Sequence, residues 1–270
     1  MRLDPSLNEW LNLFARWFHV FAGILWIGTT YYFTWLDARL SEAEASNSNE
    51  PAQVWMVHSG GFYVVNKRKT PGTETLHWFR WEAALTWLSG LFLLVLVYYM
   101  GGALVDADVR DISVATAIGF SLSLLVVAWL VYDLLMLSPL ARHEVAFAAL
   151  AYALLVGCAY LLTHVLSGRA AYLHMGAMLG TLMAANVWLR ILPAQRRMIA
   201  ATRAGQAPDA ALAARAKLRS KQNTYMVVPT VFTMISNHFP TATYGSRYNW
   251  LILSVLILVG WLAAKIIRRA

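Results

Sequence analysis

Apolar runs close to the length of a bilayer-crossing helix recur along the whole chain, and they leave room for little besides a membrane-embedded bundle. A helix needs about 20 such residues to cross roughly 30 Å of hydrocarbon. Spans are expected near residues 10–36, 77–100, 112–137, 145–166, 171–192, 222–238 and 248–267. The chain is 59% hydrophobic and 13% charged, against about 25% charged in ordinary soluble domains. Residues 1–270 are therefore expected to form one all-α polytopic membrane domain of about seven spans.

A formal charge of +8 could point to nucleic acid, but the cations sort by loop rather than over one soluble surface. The N-terminus and the even-numbered loops carry only Arg2, Arg110, Arg169 and Arg247, while the odd-numbered loops and the C-terminal tail hold most of the rest. The positive-inside rule then puts the N-terminus outside and the C-terminus in the cytoplasm. Asp106, Asp108 and Asp111 fit the outer face. The single cysteine, Cys158, permits no intrachain disulfide, and no CxxCH sequence is present for covalent haem attachment. The first apolar run lacks a cleavable-signal pattern and reads as the first span.

Two cytoplasmic segments are long. Within the loop 37–76, residues 41–53 read as a polar linker, and the apolar and aromatic stretch after them, broken by Gly60 and Gly61, reads as a hairpin or a re-entrant element. Residues 194–221 are rich in Ala and Arg, and read most simply as a surface helix whose cations lie near anionic lipid.

Seven histidines stand out, because ionisable side chains in hydrocarbon are costly and usually have partners. By this topology His19, His164, His174 and His238 share the outer side, whereas His58, His77 and His143 fall at the cytoplasmic interface. Each alone reads as an interfacial anchor or a hydrogen-bonded bundle residue. Their shared depth favours axial ligation of haem iron, which imidazole suits. In the first span RWFHVFAGILWIG aligns His19, Gly23, Trp26 and Thr30 on one face. Gly23 there either leaves room for a flat macrocycle or serves close helix packing.

The sixth span is the least lipid-like. Asn223, Thr230, Thr233 and Asn237 form a stripe that must face protein, cofactor or water, and Pro229 should kink the helix. The alternative is a polar packing seam. The second span opens with LHWFRWEAALTWLSG, where Arg80 and Glu82 are either interfacial or functional. Arg80, His77 and the Lys67 to Lys69 run are the cations available to a planar anion from the cytoplasm.

At RWFHVFAGILWIGTTYYF from Arg16, HSGGFY from His58, LHWFRWEAALTWLSG from Leu76 and KQNTYMVVPTVFTMISNHFP from Lys221, the sequence resembles the N-terminal membrane domain of bacterial membrane-bound urate oxidases, or urate hydroxylases. The likeness runs through nearly the whole chain. It implies hydroxylation of urate to 5-hydroxyisourate in purine catabolism, with electrons passed toward a cytochrome c, and a multi-pass location in the cell inner membrane. The first span is also similar to that of membrane-type protoporphyrinogen oxidases, which pair a histidine with b-type haem. The family pattern has about eight spans and a C-terminal cytochrome c domain. These 270 residues hold about seven spans and no such domain, so the acceptor is expected on a separate chain or a missing domain.

These readings combine into one expectation. His19, His164, His174 and His238 would include the iron ligands of one or two b-type haems, with Gly23 and Trp26 lining the group. His77, Arg80 and Glu82 would act on the purine, which His58, Arg80, Asn223 and Asn237 would bind. Two other classes compete for the same residues: a transporter or channel for a small polar solute along the sixth span, and a copper- or zinc-handling protein using the histidines directly. A related b-haem membrane oxidoreductase is a nearer alternative.

Overall fold

The computed structural model describes residues 4–46, 52–68 and 75–268. The fold is essentially all-α, and six of its helical stretches are long and apolar enough to cross a membrane. Helix α1 (Pro5–Ser46) starts where Asp4 caps it, its Oδ1 accepting from Leu7 N–H at 3.1 Å, with proline at the first helical position. At 1.5 Å per residue its 42 residues reach about 63 Å, twice the hydrocarbon thickness. The helix therefore continues well past the expected end of the first span.

On this overhang sits the one hairpin among the described residues, β1 (Gln53–His58) and β2 (Gly61–Asn66), with Trp55 opposite Val64 and Val57 opposite Phe62. Its two-residue turn has φ 49° at Ser59 and 78° at Gly60. Two successive positive φ angles make the type I′ geometry that matches strand twist, and glycine is what makes the second of them inexpensive. One face packs Val54 and Val65 on Leu36, Leu40 and Ala43. Lys67 reaches Asp37 and Glu44, and Lys217 reaches Asp37 at 2.9 Å. The other face exposes Trp55, Val57, Phe62 and Val64. The apolar stretch is thus a hairpin lying on α1.

Helix α2 (Trp81–Leu93) continues as a π-helical turn, Leu94–Tyr99. Helices α3 (Val114–Leu137) and α4 (Glu144–Val165) follow, α3 capped by the Ser113 hydroxyl. Helix α5 (Gly168–Ala185) runs through a π-helical turn, Asn186–Ile191, into α6 (Leu192–Arg203). Pro193 cannot donate to the helical ladder, and the widened turn lies immediately before it. After a break at Gly205, φ 71°, Asp209 caps α7 (Ala210–Ile235), and α8 (Asn249–Ile267) closes the bundle.

The expected surface helix over 194–221 is therefore corrected. Its residues are the end of one long helix, a short break and the first half of the next, and not all of its cations face lipid: Arg219 is buried.

Helix α5 is central, with Ala170, Tyr172, Met175 and Leu179 fully enclosed. Close approach depends on two glycines. A Cβ on Gly176 would collide with Thr233 Oγ1 of α7, and one on Gly260 of α8 would lie 2.9 Å from Pro229 Cδ and 3.0 Å from Pro229 N. Small residues at such crossings let helices pack where lipid offers no hydrophobic drive. Gly260→Ala is expected to destabilise the bundle by about 1–3 kcal/mol, because backbone rather than a flexible side chain must move. Thermal unfolding in detergent should show a lowered midpoint; an unchanged midpoint would mean that α8 can shift freely.

Candidate functional site: a buried polar seam around the α5 π turn

The π turn of α5 directs three side chains to three different partners. Asn186, fully buried, donates from Nδ2 to Tyr132 Oη at 2.9 Å and to Asn223 Oδ1 at 2.8 Å. Its own Oδ1 accepts from Arg219 Nη1 at 3.0 Å. Arg190 forms a two-bond fork on Asp133, with Nε to Oδ1 at 2.9 Å and Nη2 to Oδ2. Arg219 Nη2 reaches the same carboxylate at 2.6 Å, and its guanidinium lies 5.2 Å from the Tyr132 ring centroid. Asn223 completes the chain by donating to Met183 O at 3.1 Å. A charge inside hydrocarbon is tolerable only when paired and hydrogen-bonded, and every member here is.

The third side chain, Trp188, meets Trp81 edge to face at 5.8 Å, which brings the turn against the start of α2. Arg80 lies 5.5 Å from the Trp81 ring centroid. Three polar atoms in this region are buried with no hydrogen-bond partner among the described residues: Arg80 Nε, Glu82 Oε2 and Trp188 Nε1. Leaving such groups unsatisfied costs about 1–3 kcal/mol each, and native structures rarely do so without a reason. The three belong to residues joined through the Trp81–Trp188 contact and the Arg80–Trp81 approach, with Glu82 next to Trp81 in α2.

The residues named from sequence distribute as follows. Asn223 joins the seam and, with Trp26 and Thr30, lines a water-sized void of about 10 Å³. Asn237, further along the same stripe, accepts instead from Arg169 Nε at 2.8 Å. Thr233 is fully buried under α5, so the stripe does face protein. His77 is exposed and packs on Phe79, and His58 is exposed at the hairpin tip.

The four histidines expected to meet do not form a cluster. His174 is fully buried, with Nδ1 donating to Ala170 O and Nε2 accepting from Ser121 Oγ, both at 2.7 Å, so it has no free nitrogen. His164 is exposed and stacked on Tyr160, and His238 is exposed beyond the end of α7. His19 is different. Its Nδ1 donates to Thr86 O and Ser89 Oγ, each at 3.0 Å, which fixes the tautomer that leaves Nε2 with its lone pair, as in many metal-ligating histidines. Its ring lies against Gly90, where a Cβ would come within 3.1 Å of Cε1. Gly23 faces Thr86 of α2, so the space beside it serves helix packing. Among the described residues, no three or more His, Cys, Asp or Glu side chains group to hold a metal ion. Of the four, His19 lies against α2 with its Nε2 making no hydrogen bond among the described residues.

Sequence reasoning missed Asp133, Arg190, Arg219, Asn186 and Trp188 as site residues. The cue was a lone aspartate in LVVAWLVYDLLML and a lone arginine in NVWLRILP, since an ionisable group inside a span marks a site by default.

The fold and its seam define a polytopic helical membrane protein with a paired-charge centre near one end of the bundle. Within that class, the chain belongs to the urate oxidase N-terminal family, whose model matches residues 5–269. Neither a curated protein nor a solved structure matches the chain.

Proposed function

We propose that the protein oxidises urate where α2 begins against the α5 π turn, from the inner membrane of the cell with the basic end of the bundle in the cytoplasm. Membership of the urate oxidase N-terminal family supports urate as the substrate class. The observation that carries the site is the set of unsatisfied buried polar atoms on Arg80, Glu82 and Trp188.

Hydroxylation to 5-hydroxyisourate adds water to urate and releases two electrons and two protons. Arg80 offsets the charge of the urate anion, and the Arg80 and Trp188 N–H groups bond its carbonyl edge. The Glu82 carboxylate takes a proton from the purine or from the attacking water. The indoles of Trp81 and Trp188 give the planar ring an apolar wall.

When a b-type haem is bound, His19 Nε2 would hold it from this chain, and the group would supply the electron-accepting chemistry between urate and a cytochrome c.

Anaerobic addition of urate to the oxidised, haem-loaded protein should produce a reduced b-type spectrum. A protein that binds urate yet leaves its haem oxidised would overturn the proposal. His19→Ala is expected to remove the b-type signal without unfolding the bundle, whereas His164→Ala should leave it intact; reduced-minus-oxidised spectra and circular dichroism on the same samples check both.

A further inference from the structure

A second region at the basic end of the bundle shares no lining residue with Arg80, Trp81, Glu82 or Trp188. Between the ends of α3, α6 and α7 is a cleft of about 230 Å³ whose only polar lining groups are four guanidiniums, those of Arg190, Arg197, Arg215 and Arg219. The rest of its wall is aliphatic, with no carboxylate, amide, hydroxyl or aromatic side chain.

The four arginines fall into two pairs. Arg219, buried, and Arg190, 41% exposed, are both held by Asp133. Arg197 and Arg215 stand at the exposed rim and have no acidic partner among the described residues. Among the described residues, the Arg215 side chain makes one hydrogen bond, a long one of 3.4 Å, to its own helix. Four cations thus face one carboxylate, and the two free ones face outward.

The aliphatic part has a direction too. Leu137 and Leu189 are 53% and 56% exposed on membrane-spanning helices, so the mouth continues into lipid-facing surface. A planar purine anion would find no ring to stack on and no amide to read its edge. An ester of phosphate with hydrocarbon attached would find guanidiniums for the one and leucines for the other.

We propose that this cleft binds the phosphate headgroup of an anionic phospholipid, with Arg197 and Arg215 on the phosphate and the acyl chains along Leu137 and Leu189. It does not depend on the urate assignment. The probe is phosphatidylglycerol against phosphatidylcholine, added to the detergent-purified full chain and followed by native mass spectrometry. The wild type should retain phosphatidylglycerol preferentially, and the double variant R197Q/R215Q should lose about thirtyfold in that affinity, with an unchanged melting midpoint. R142Q/R203Q removes equal charge outside the cleft and should change little. Equal loss in both double variants would mean diffuse attraction without a site. Displacement of the lipid by inorganic phosphate or by urate would mean that the cleft serves a soluble anion, and would overturn the lipid assignment.

Discussion

Replacing Asp133 with alanine is expected to lower the unfolding free energy of the bundle by about 3–5 kcal/mol, the cost of breaking a buried ion pair by removing one partner. Asp133 holds Arg190 and Arg219 together, and Arg219 is only 4% exposed. Without the carboxylate, that guanidinium keeps Asn186 and the faces of Trp129 and Tyr132 but no counter-charge. Arg190 is 41% exposed and can turn outward, so it contributes the smaller part. The physics also predicts a rescue. In the triple variant Asp133→Leu, Arg190→Met, Arg219→Met no charge is left buried, and such replacements are often neutral or stabilising, so most of the lost stability should return. Thermal or denaturant unfolding in detergent measures both. An alanine variant that melts with the wild type would show that the network carries no stability; a triple variant as weak as the single would show that its hydrogen bonds, not its charge balance, matter.

The spans were legible because an apolar run must either cross lipid or be enclosed, and at α3 the run begins where Ser113 caps the helix. The expected 112–137 is α3 at Val114–Leu137, and the expected 248–267 is α8 at Asn249–Ile267. Hydropathy could not show that α1 continues to Ser46, since LDARLSEAEAS is polar and yet helix-forming. Nor could it show α5 passing Pro193, because the π turn that lets the helix continue leaves no repeat to read. The position of each histidine along its span was readable, but the direction of its imidazole was not. The His174 ring is committed to Ala170 and Ser121. A lone Asp133 announces that it needs a partner, but its partners Arg190 and Arg219 lie 57 and 86 positions away, and only the packing of α3 against α5 and α7 selects them.

Glu82→Gln should reduce urate oxidation by about 10²–10⁴-fold, the usual contribution of a positioned general base, while leaving the fold and the b-type spectrum unchanged. The amide keeps the volume of the side chain and removes only its ability to take a proton, so the loss should fall on kcat. Arg80→Lys is the matched contrast. Lysine retains the charge but not the fork of planar donors, so the loss there should appear chiefly in KM for urate. His77→Ala, which removes an exposed ring resting on Phe79, should alter neither constant by more than a few fold, and would correct its assignment as a catalytic group. A Glu82→Gln enzyme at full rate would move the proton acceptor elsewhere. A loss in KM alone would make Glu82 a binding group. Either result leaves the spectral test of His19 standing, because the roles proposed for the imidazole on α1 and the carboxylate on α2 concern different atoms.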